Sequence, residues 1–295
     1  MMRLRRARPW LGTLVEVHVE AIDETRALAA IEAAFAEIAA VHRLMSFHAP
    51  DSDLSRLNRD AARDAVAVDP RTFEVIALAL AFARESRGCF DPTVARELVA
   101  WGLLPAPHGA APANPAADWH DVVCADDGTV RYARPLWLDL GGIAKGYAVD
   151  RAIELLRETG VESACVNAGG DLRRIGPGSE PVHVRHPAAP ALVLPGLELA
   201  EGSVASSAGY FVERGPGARA VGPHLHGRRR DAVGLDAAVT VIAARCAVAD
   251  ALTKIALADA QIAQGVLAKH AAEACVHDAD SGWRMLSQAA QADAA

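Results

Sequence analysis

The segment Leu138-Asp139-Leu140-Gly141-Gly142-Ile143-Ala144-Lys145 brings an acid, two glycines and a lysine close together. It reads as a short strand over 136–140, a tight glycine turn, and a helix from about Ile143 to Gly160. A helix start offers unpaired N–H groups to an anion, and glycine lets a ligand approach the backbone. Lys145 falls in the first helical turn, where a cation opposes the helix dipole. Such a lysine is held for a ligand such as phosphate, or it is a surface residue beside a plain glycine turn. Asp250 and Lys254 lie one turn apart on one face of another helix. Ala249, Ala251 and Leu252 mark that face as partly buried, and a buried carboxylate needs a cationic partner, a lysine or a metal ion. Within that helix alone the internal ion pair is the simpler arrangement. His224-Leu225-His226 puts two imidazoles on one side of an extended segment. Such a pair can bind zinc, but no third ligand stands at a telling spacing, and an exposed loop is the commoner explanation. Asn167-Ala168-Gly169-Gly170-Asp171 and Ser206-Ser207-Ala208-Gly209-Tyr210 are two more small-residue turns. Together with Gly141-Gly142 they suggest a binding crevice.

Patterning gives the elements that must position these groups. Leu14 to Glu20 alternates apolar and polar residues as a strand does. A helix follows from about Asp23, its cap, with Leu28, Ile31, Phe35, Ile38 and Met45 at helical spacing. Met45 to His48 closes it, and Asp51 to Asn58 reads as a capped turn into a short helix. Another helix begins after Asp69, with Pro70 in its first turn and Gly88 past its end. Asp91-Pro92 initiates a turn, with a helix start near Thr93. Leu104 to Ala117, rich in Pro, Ala and Gly, is a loop and the candidate hinge between halves. Strands are expected at 163–166, 183–185, 192–194, 237–243 and 273–277, with a turn at Pro195-Gly196. A last helix is expected from Ala247 to about His270. Helices and strands mix without regular βαβ alternation, which predicts an α+β fold.

The chain has 295 residues, of which 52% are hydrophobic and 23% charged, enough apolar material for a large core. Its formal net charge of -7 argues against a nucleic-acid-binding surface, and Arg228-Arg229-Arg230 is too short a run to reverse that. Five cysteines, with no pair at CxxC spacing, read as free thiols of a reducing compartment. The N-terminus has the basic start of a signal peptide, but Glu16 and His18 break the apolar stretch after it and no small-residue cleavage site follows. No stretch is long and apolar enough to insert in a membrane. The expectation is a soluble cytoplasmic protein folded as one domain over 1–295.

Taken in order, the segments resemble the FAD:protein FMN transferases, the ApbE family. The resemblance rests on LGT at 11–13, MSFHAPDSDLSRLN at 45–58, GCFDPTV at 88–94 and LDLGGIAKGYAVDRA at 138–152. It continues with VNAGGDLR at 166–173, ASSAGYF at 205–211 and ADALTKIAL at 249–257. It implies an antiparallel sheet packed with helices, in two closely packed lobes around an FAD crevice. It also implies magnesium-dependent cleavage of the FAD pyrophosphate, with FMN joined by a phosphoester to a threonine or serine of a target protein and AMP released. The target protein is the implied partner, and FAD and Mg²⁺ are the implied substrate and cofactor.

By the same resemblance, Leu11, Phe47, Cys89, Phe90, Asp91, Asp139 and Lys145 match positions that contact FAD, with Lys145 on the pyrophosphate. Leu11 stands where a methionine is usual and Phe47 where a tyrosine is frequent. His226 matches a position whose backbone runs along the flavin. His224 matches the histidine beside the reacting phosphate and is the candidate for proton transfer. Gly142, through its carbonyl, and Asp250 match metal ligands. Two departures stand out. The family's usual stretch of the type IIDPRTG after its histidine is replaced by Leu225-His226-Gly227-Arg228-Arg229-Arg230-Asp231. Lys254 occupies the place of a metal-completing threonine. A protonated ammonium cannot ligate a metal, so Lys254 supplies the charge itself or Thr253 supplies the oxygen. Beside the transferase stand two other readings, an FAD-binding protein without transfer and a magnesium-dependent FAD pyrophosphatase.

Overall fold

The computed structural model describes residues 2–187, 189–209, 222–278 and 282–286. The chain opens with a hairpin, β1 (Met2–Trp10) and β2 (Thr13–Ala21), followed by α1 (Glu24–Met45), α2 (Asp53–Asp60), β3 (Val66–Ala67) and α3 (Pro70–Glu85). Next come α4 (Ala95–Ala100), β4 (Val122–Cys124), β5 (Thr129–Tyr132) and α5 (Ala144–Glu158). Then follow β6 (Ser163–Ala168), β7 (Asp171–Ile175), β8 (Glu180–His186), β9 (Ala189–Leu199) and β10 (Gly202–Ala208). After 222 the order is β11 (Leu225–His226), β12 (Asp231–Ala232), β13 (Ala238–Ala243), α6 (Cys246–Ala258), α7 (Ala260–Lys269), β14 (Glu273–Asp278) and β15 (Gly282–Leu286).

Among the described residues, eight strands form one antiparallel sheet in the order β1-β2-β6-β7-β10-β13-β14-β15. The predicted α+β class is what the chain adopts. Alternation along β2 sends Val15, Val17 and Val19 inward, where they meet Ile31, Phe35 and Ile38 of α1 and Val149, Ile153 and Leu156 of α5. Farther along the sheet, Ala205, Val239 and Val241 pack on Ala251, Leu252 and Ile255 of α6. On the opposite face the β8–β9 hairpin lies over the sheet, with Leu199, Val182 and Leu197 against Cys165, Leu172 and Val204.

Two helices set the geometry of the cleft. The N-cap residues Ile143 of α5 and Arg245 of α6 make no side-chain cap bond. Each helix start is served instead by an aspartate of the other helix. Asp150 of α5 accepts from the N–H groups of Cys246 and Ala247 at 2.8 and 2.9 Å. Asp250 of α6 accepts from the N–H of Gly146 at 3.1 Å. The helices meet at Gly146, where a Cβ would stand 2.4 Å from the Cys246 carbonyl oxygen. Only glycine permits that approach.

Asp23 caps α1 and Pro70 opens α3, as the sequence predicts, and Ser52 and Asp69 cap α2 and α3. Four expectations are corrected. Leu136 to Leu140 forms no strand. The side-chain amide of Asn58 takes both backbone groups of Leu138, at 2.7 and 3.0 Å, and so replaces a neighbouring strand. The helix expected from Ala247 to His270 is two helices, because the Asp259 side chain accepts from Gln261 and Ile262 N–H and starts a new one. Pro195-Gly196 is not a turn after a strand. β9 runs through it, and the register shift between Val182↔Leu197 and Val184↔Leu194 absorbs both residues in a bulge. Ser206 to Ala208 is the end of β10 rather than a turn; Tyr210 and Phe211 lie outside the described residues.

The Leu104–Ala117 segment carries no helix or strand, and the Trp137 Nε1–H donates to the Ala111 carbonyl at 3.0 Å to hold it. The basic N-terminus is the exposed edge strand β1. No helix among the described residues is long and apolar enough to cross a membrane.

Asp150 is fully buried and also pairs with Arg173 at 2.7 Å. Asp150→Ala strands that guanidinium and two helix-start N–H groups, and is expected to lower the unfolding free energy by about 3–5 kcal/mol. Urea titration checks this; a loss under about 1 kcal/mol, the worth of an exposed pair, would refute the capping role.

Candidate active site

Two tight turns at the same end of the sheet open the site. The β1–β2 turn has positive φ at Leu11 (57°) and Gly12 (72°), and the β6–β7 turn at Gly169 (65°) and Gly170 (106°). Primed turns of this kind match the twist of paired strands. Leu11 accepts an unfavourable backbone region there, and its side chain packs against both main core clusters. A Cβ on Gly169 would stand 2.4 Å from Thr13 Oγ1, so this glycine lets the two turns close on each other.

These turns border a cleft of about 1020 Å³. Its walls are Thr13, Leu14, Asn167, Gly169 and Gly170 from the turns, and Pro181, Val182, His183 and Arg185 from β8. Facing them are Cys89 to Pro92, Asp139, Gly141, Gly142 and Lys145, with Ser206 to Ala208, Pro223 to Leu225 and Lys254 completing it. Of the residues singled out in the sequence, Cys89, Phe90, Asp91, Asp139, Gly142, Lys145 and His224 therefore line one space. Asp250 lies directly behind it, fully buried. Leu11, Phe47 and His226 do not line it. Phe47 packs on the core with its ring 6.5 Å from that of His48, and His226 is buried with Nδ1 accepting from the Arg229 N–H at 3.3 Å.

The floor of the cleft is a lattice of four charges. The Lys145 ammonium donates to Asp171 Oδ2 and reaches Asp250 Oδ2 at 3.5 Å. The Lys254 ammonium donates to Asp250 Oδ1 and to Ser207 Oγ at 3.0 Å. Burial alone would push the Lys145 pKa down, but Asp171 and Asp250 outweigh it and hold the group charged. Burial raises Asp250, yet Lys145, Lys254 and the Gly146 N–H bring it down to about 2. Burial and the neighbouring Asp250 charge push Asp171 up. Asp171 and Ser207 carried no assigned role in the sequence reading. Their signal was position alone: each belongs to a small-residue segment that the sequence placed at a crevice.

Around the lattice, burial raises Asp139, whose Oδ1 accepts from the Gly141 N–H at 3.1 Å. Asp91 serves the loop architecture. Its Oδ1 accepts from the Thr93 N–H at 2.8 Å and its Oδ2 from Arg230 at 2.8 Å, tying the arginine run to the Gly88–Thr93 segment. A Cβ on Gly227 would stand 2.5 Å from the Gly88 carbonyl oxygen, so that contact too requires glycine. The altered loop after His224 is thus a closely docked one. Burial pushes the Cys89 thiol up to about 12, which leaves it unreactive at neutral pH.

The donors around Asp250 do not fit the magnesium ion that the resemblance implies. Both carboxylate oxygens are already engaged, by Lys254 on one side and by Lys145 and Gly146 on the other. The Lys254 side chain lies across Gly142, where a Cβ would stand 3.6 Å from Lys254 Cγ. Thr253 is fully buried and does not line the cleft, its hydroxyl lying between the Asp250 carbonyl at 2.6 Å and Ser207 Oγ at 2.8 Å. No group of three or more His, Cys, Asp or Glu able to hold a metal occurs among the described residues.

Residues 11–276 match the ApbE family. The chain belongs to the ApbE family. Among curated relatives, it is 30% identical over 185 residues to the FAD:protein FMN transferase of Treponema pallidum, covering 58% of this chain and 51% of the relative. It is 34% identical over 195 residues to the FAD:protein FMN transferase of Rhodobacter capsulatus, covering 60% of this chain and 36% of the relative. This ApbE-family chain therefore spans about half the length, or less, of these relatives. The crystal structure of the ApbE protein from Thermotoga maritima superposes with a TM-score of 0.84 at 26% identity, covering 96% of this chain and 97% of that one. The flavin transferase ApbE of Vibrio cholerae shares the fold, with a TM-score of 0.77 at 19% identity.

His224 stands against the lattice. Burial first, then the charges of Lys254 and Lys145, lower its pKa to about 3, although a bond to the Ala208 backbone works the other way. An unfolded chain takes up this proton near the ordinary 6.5. The folded state therefore loses relative stability as pH falls from 6.5 toward 3, and His224 adds no such dependence above 6.5. An NMR titration, with His224→Gln to assign the resonance, is expected to find the ring neutral down to pH 5. A midpoint near 6.5 would contradict the burial and charge described here.

Proposed function

We propose that this chain transfers FMN from FAD to a threonine or serine hydroxyl of a target protein. The observation that carries this reading is a neutral imidazole beside two paired ammoniums on the wall of one cleft, in a member of the ApbE family. The hydroxyl oxygen forms a bond to the phosphorus of the FMN half, and the bond from that phosphorus to the AMP oxygen breaks. AMP leaves, and the hydroxyl proton passes to His224. Negative charge builds on the phosphoryl oxygens, where fixed N–H donors and cations stabilise it.

The size of the cleft suits a dinucleotide, being at the upper end of the range for ligand pockets. His224 is held neutral and so can accept a proton, although its low affinity for one makes it a weak base by itself. A bound pyrophosphate changes that. Its negative charge opposes the fields of Lys145 and Lys254 and raises the basicity of His224 when the substrate is in place. The magnesium requirement implied by the resemblance finds no support in the donors around Asp250, and no step above depends on it. All five cysteines are free, which accords with a reducing compartment such as the cytoplasm.

The test is intact-mass spectrometry of an acceptor domain labelled by another family member, incubated with this chain and FAD. A gain of one FMN unit is expected, and His224→Ala should lower kcat/KM by about 10²–10⁴-fold. FAD bound without transfer would leave a flavin-binding protein. Release of AMP and free FMN would mean that water is the acceptor.

A further inference from the structure

We propose that the Lys254 ammonium is a built-in cation that holds the FAD pyrophosphate in the place of a divalent metal ion. This rests on the reading that the cleft takes FAD.

An ammonium can only donate, which fixes the direction of every bond around it. Lys254 donates to Ser207 Oγ at 3.0 Å; Thr253 spends its one proton on the Asp250 carbonyl at 2.6 Å, so Ser207 is the donor in its 2.8 Å bond to Thr253 Oγ1. The hydroxyls beside Asp250 thus form a chain that ends on the Lys254 ammonium and fixes its charge in the cleft wall.

Two of the three N–H groups of Lys254 are engaged, by Asp250 and by Ser207, and the side chain lies in the cleft wall. One donor is left for a ligand oxygen. The ammonium is also preorganised. Its side chain is only 16% exposed, and its stem is laid over Gly142. A ligand phosphate would meet a fixed charge rather than a free surface lysine, which must give up rotamer freedom on binding.

Charge accounting points the same way. Lys145 and Lys254 balance Asp171 and Asp250, so the cleft floor is neutral before a ligand arrives. A divalent ion at Asp250 would add two positive charges beside two ammoniums and find neither carboxylate oxygen vacant. A phosphate oxygen brings the opposite charge and needs no rearrangement.

The test measures FAD affinity by flavin fluorescence, and metal binding by the EPR signal of Mn²⁺. Wild-type affinity should change less than about twofold between EDTA and Mg²⁺, with Mn²⁺ remaining free in solution. Lys254→Met should weaken FAD binding by about 10–100-fold, with no rescue by Mg²⁺. Lys254→Thr should bind Mn²⁺ and recover affinity only when Mg²⁺ is added. The wild-type measurements need no variant to fold, and melting curves report on the variants. Bound Mn²⁺ in the wild type that Asp250→Asn abolishes, or a wild-type affinity that collapses in EDTA, overturns the proposal. Absence of FAD binding under every condition instead overturns the reading of the cleft, and this proposal with it.

Discussion

A carboxylate with no exposed surface must be neutralised within the protein, and Asp250 meets that demand from three sides. Two ammoniums and the start of α5 converge on its two oxygens. The same group thus fixes the angle between α5 and α6, the position of Lys145 and the position of Lys254. Asp150 makes the reciprocal contact on the start of α6. Because each helix supplies the cap that the other lacks, neither can shift without exposing buried N–H groups. The close approach at Gly146 makes this mutual capping possible.

The sheet delivers the opposite wall. Two tight turns at one end, made compact by Gly169, bring Asn167 and the glycines up to the cleft, and β7 begins with Asp171 just where Lys145 needs an anion. The β8–β9 hairpin folds over the far face and adds a rim. The space left between sheet, hairpin and helix starts is a concave surface whose floor groups Lys145, Asp171, Asp250, Lys254 and Ser207 are bonded to each other. Lys145, Lys254 and His224 are exceptions in kind: each ammonium keeps a donor to spare, and the imidazole is held without its proton. Those features give the cleft its chemical direction, toward an anionic ligand.

Much of this was legible in the sequence. The cap at Asp23 and the Pro70 start of α3 are local signals and fell where the sequence puts them. The Asp250–Lys254 pair follows from helical spacing and is present. Other features were not legible, for one physical reason: they are made by partners distant in sequence. Nothing near Leu138 tells that Asn58 will occupy its backbone groups, so the segment reads as a strand. Asp171 looks like the end of a glycine turn until α5 places Lys145 beside it. The resemblance to the ApbE family brought the distant segments together, and residues 11–276 match that family. It did not foretell how Lys254 sits, because that residue departs from the family's pattern.

The most direct test of this account is a crystal structure of the chain with FAD, grown in Mn²⁺ and measured at the manganese absorption edge. The account predicts a pyrophosphate oxygen within hydrogen-bonding distance of Lys254 Nζ and no anomalous peak beside Asp250. A manganese peak between the Asp250 carboxylate and the Gly142 carbonyl, with Lys254 swung aside, would contradict it.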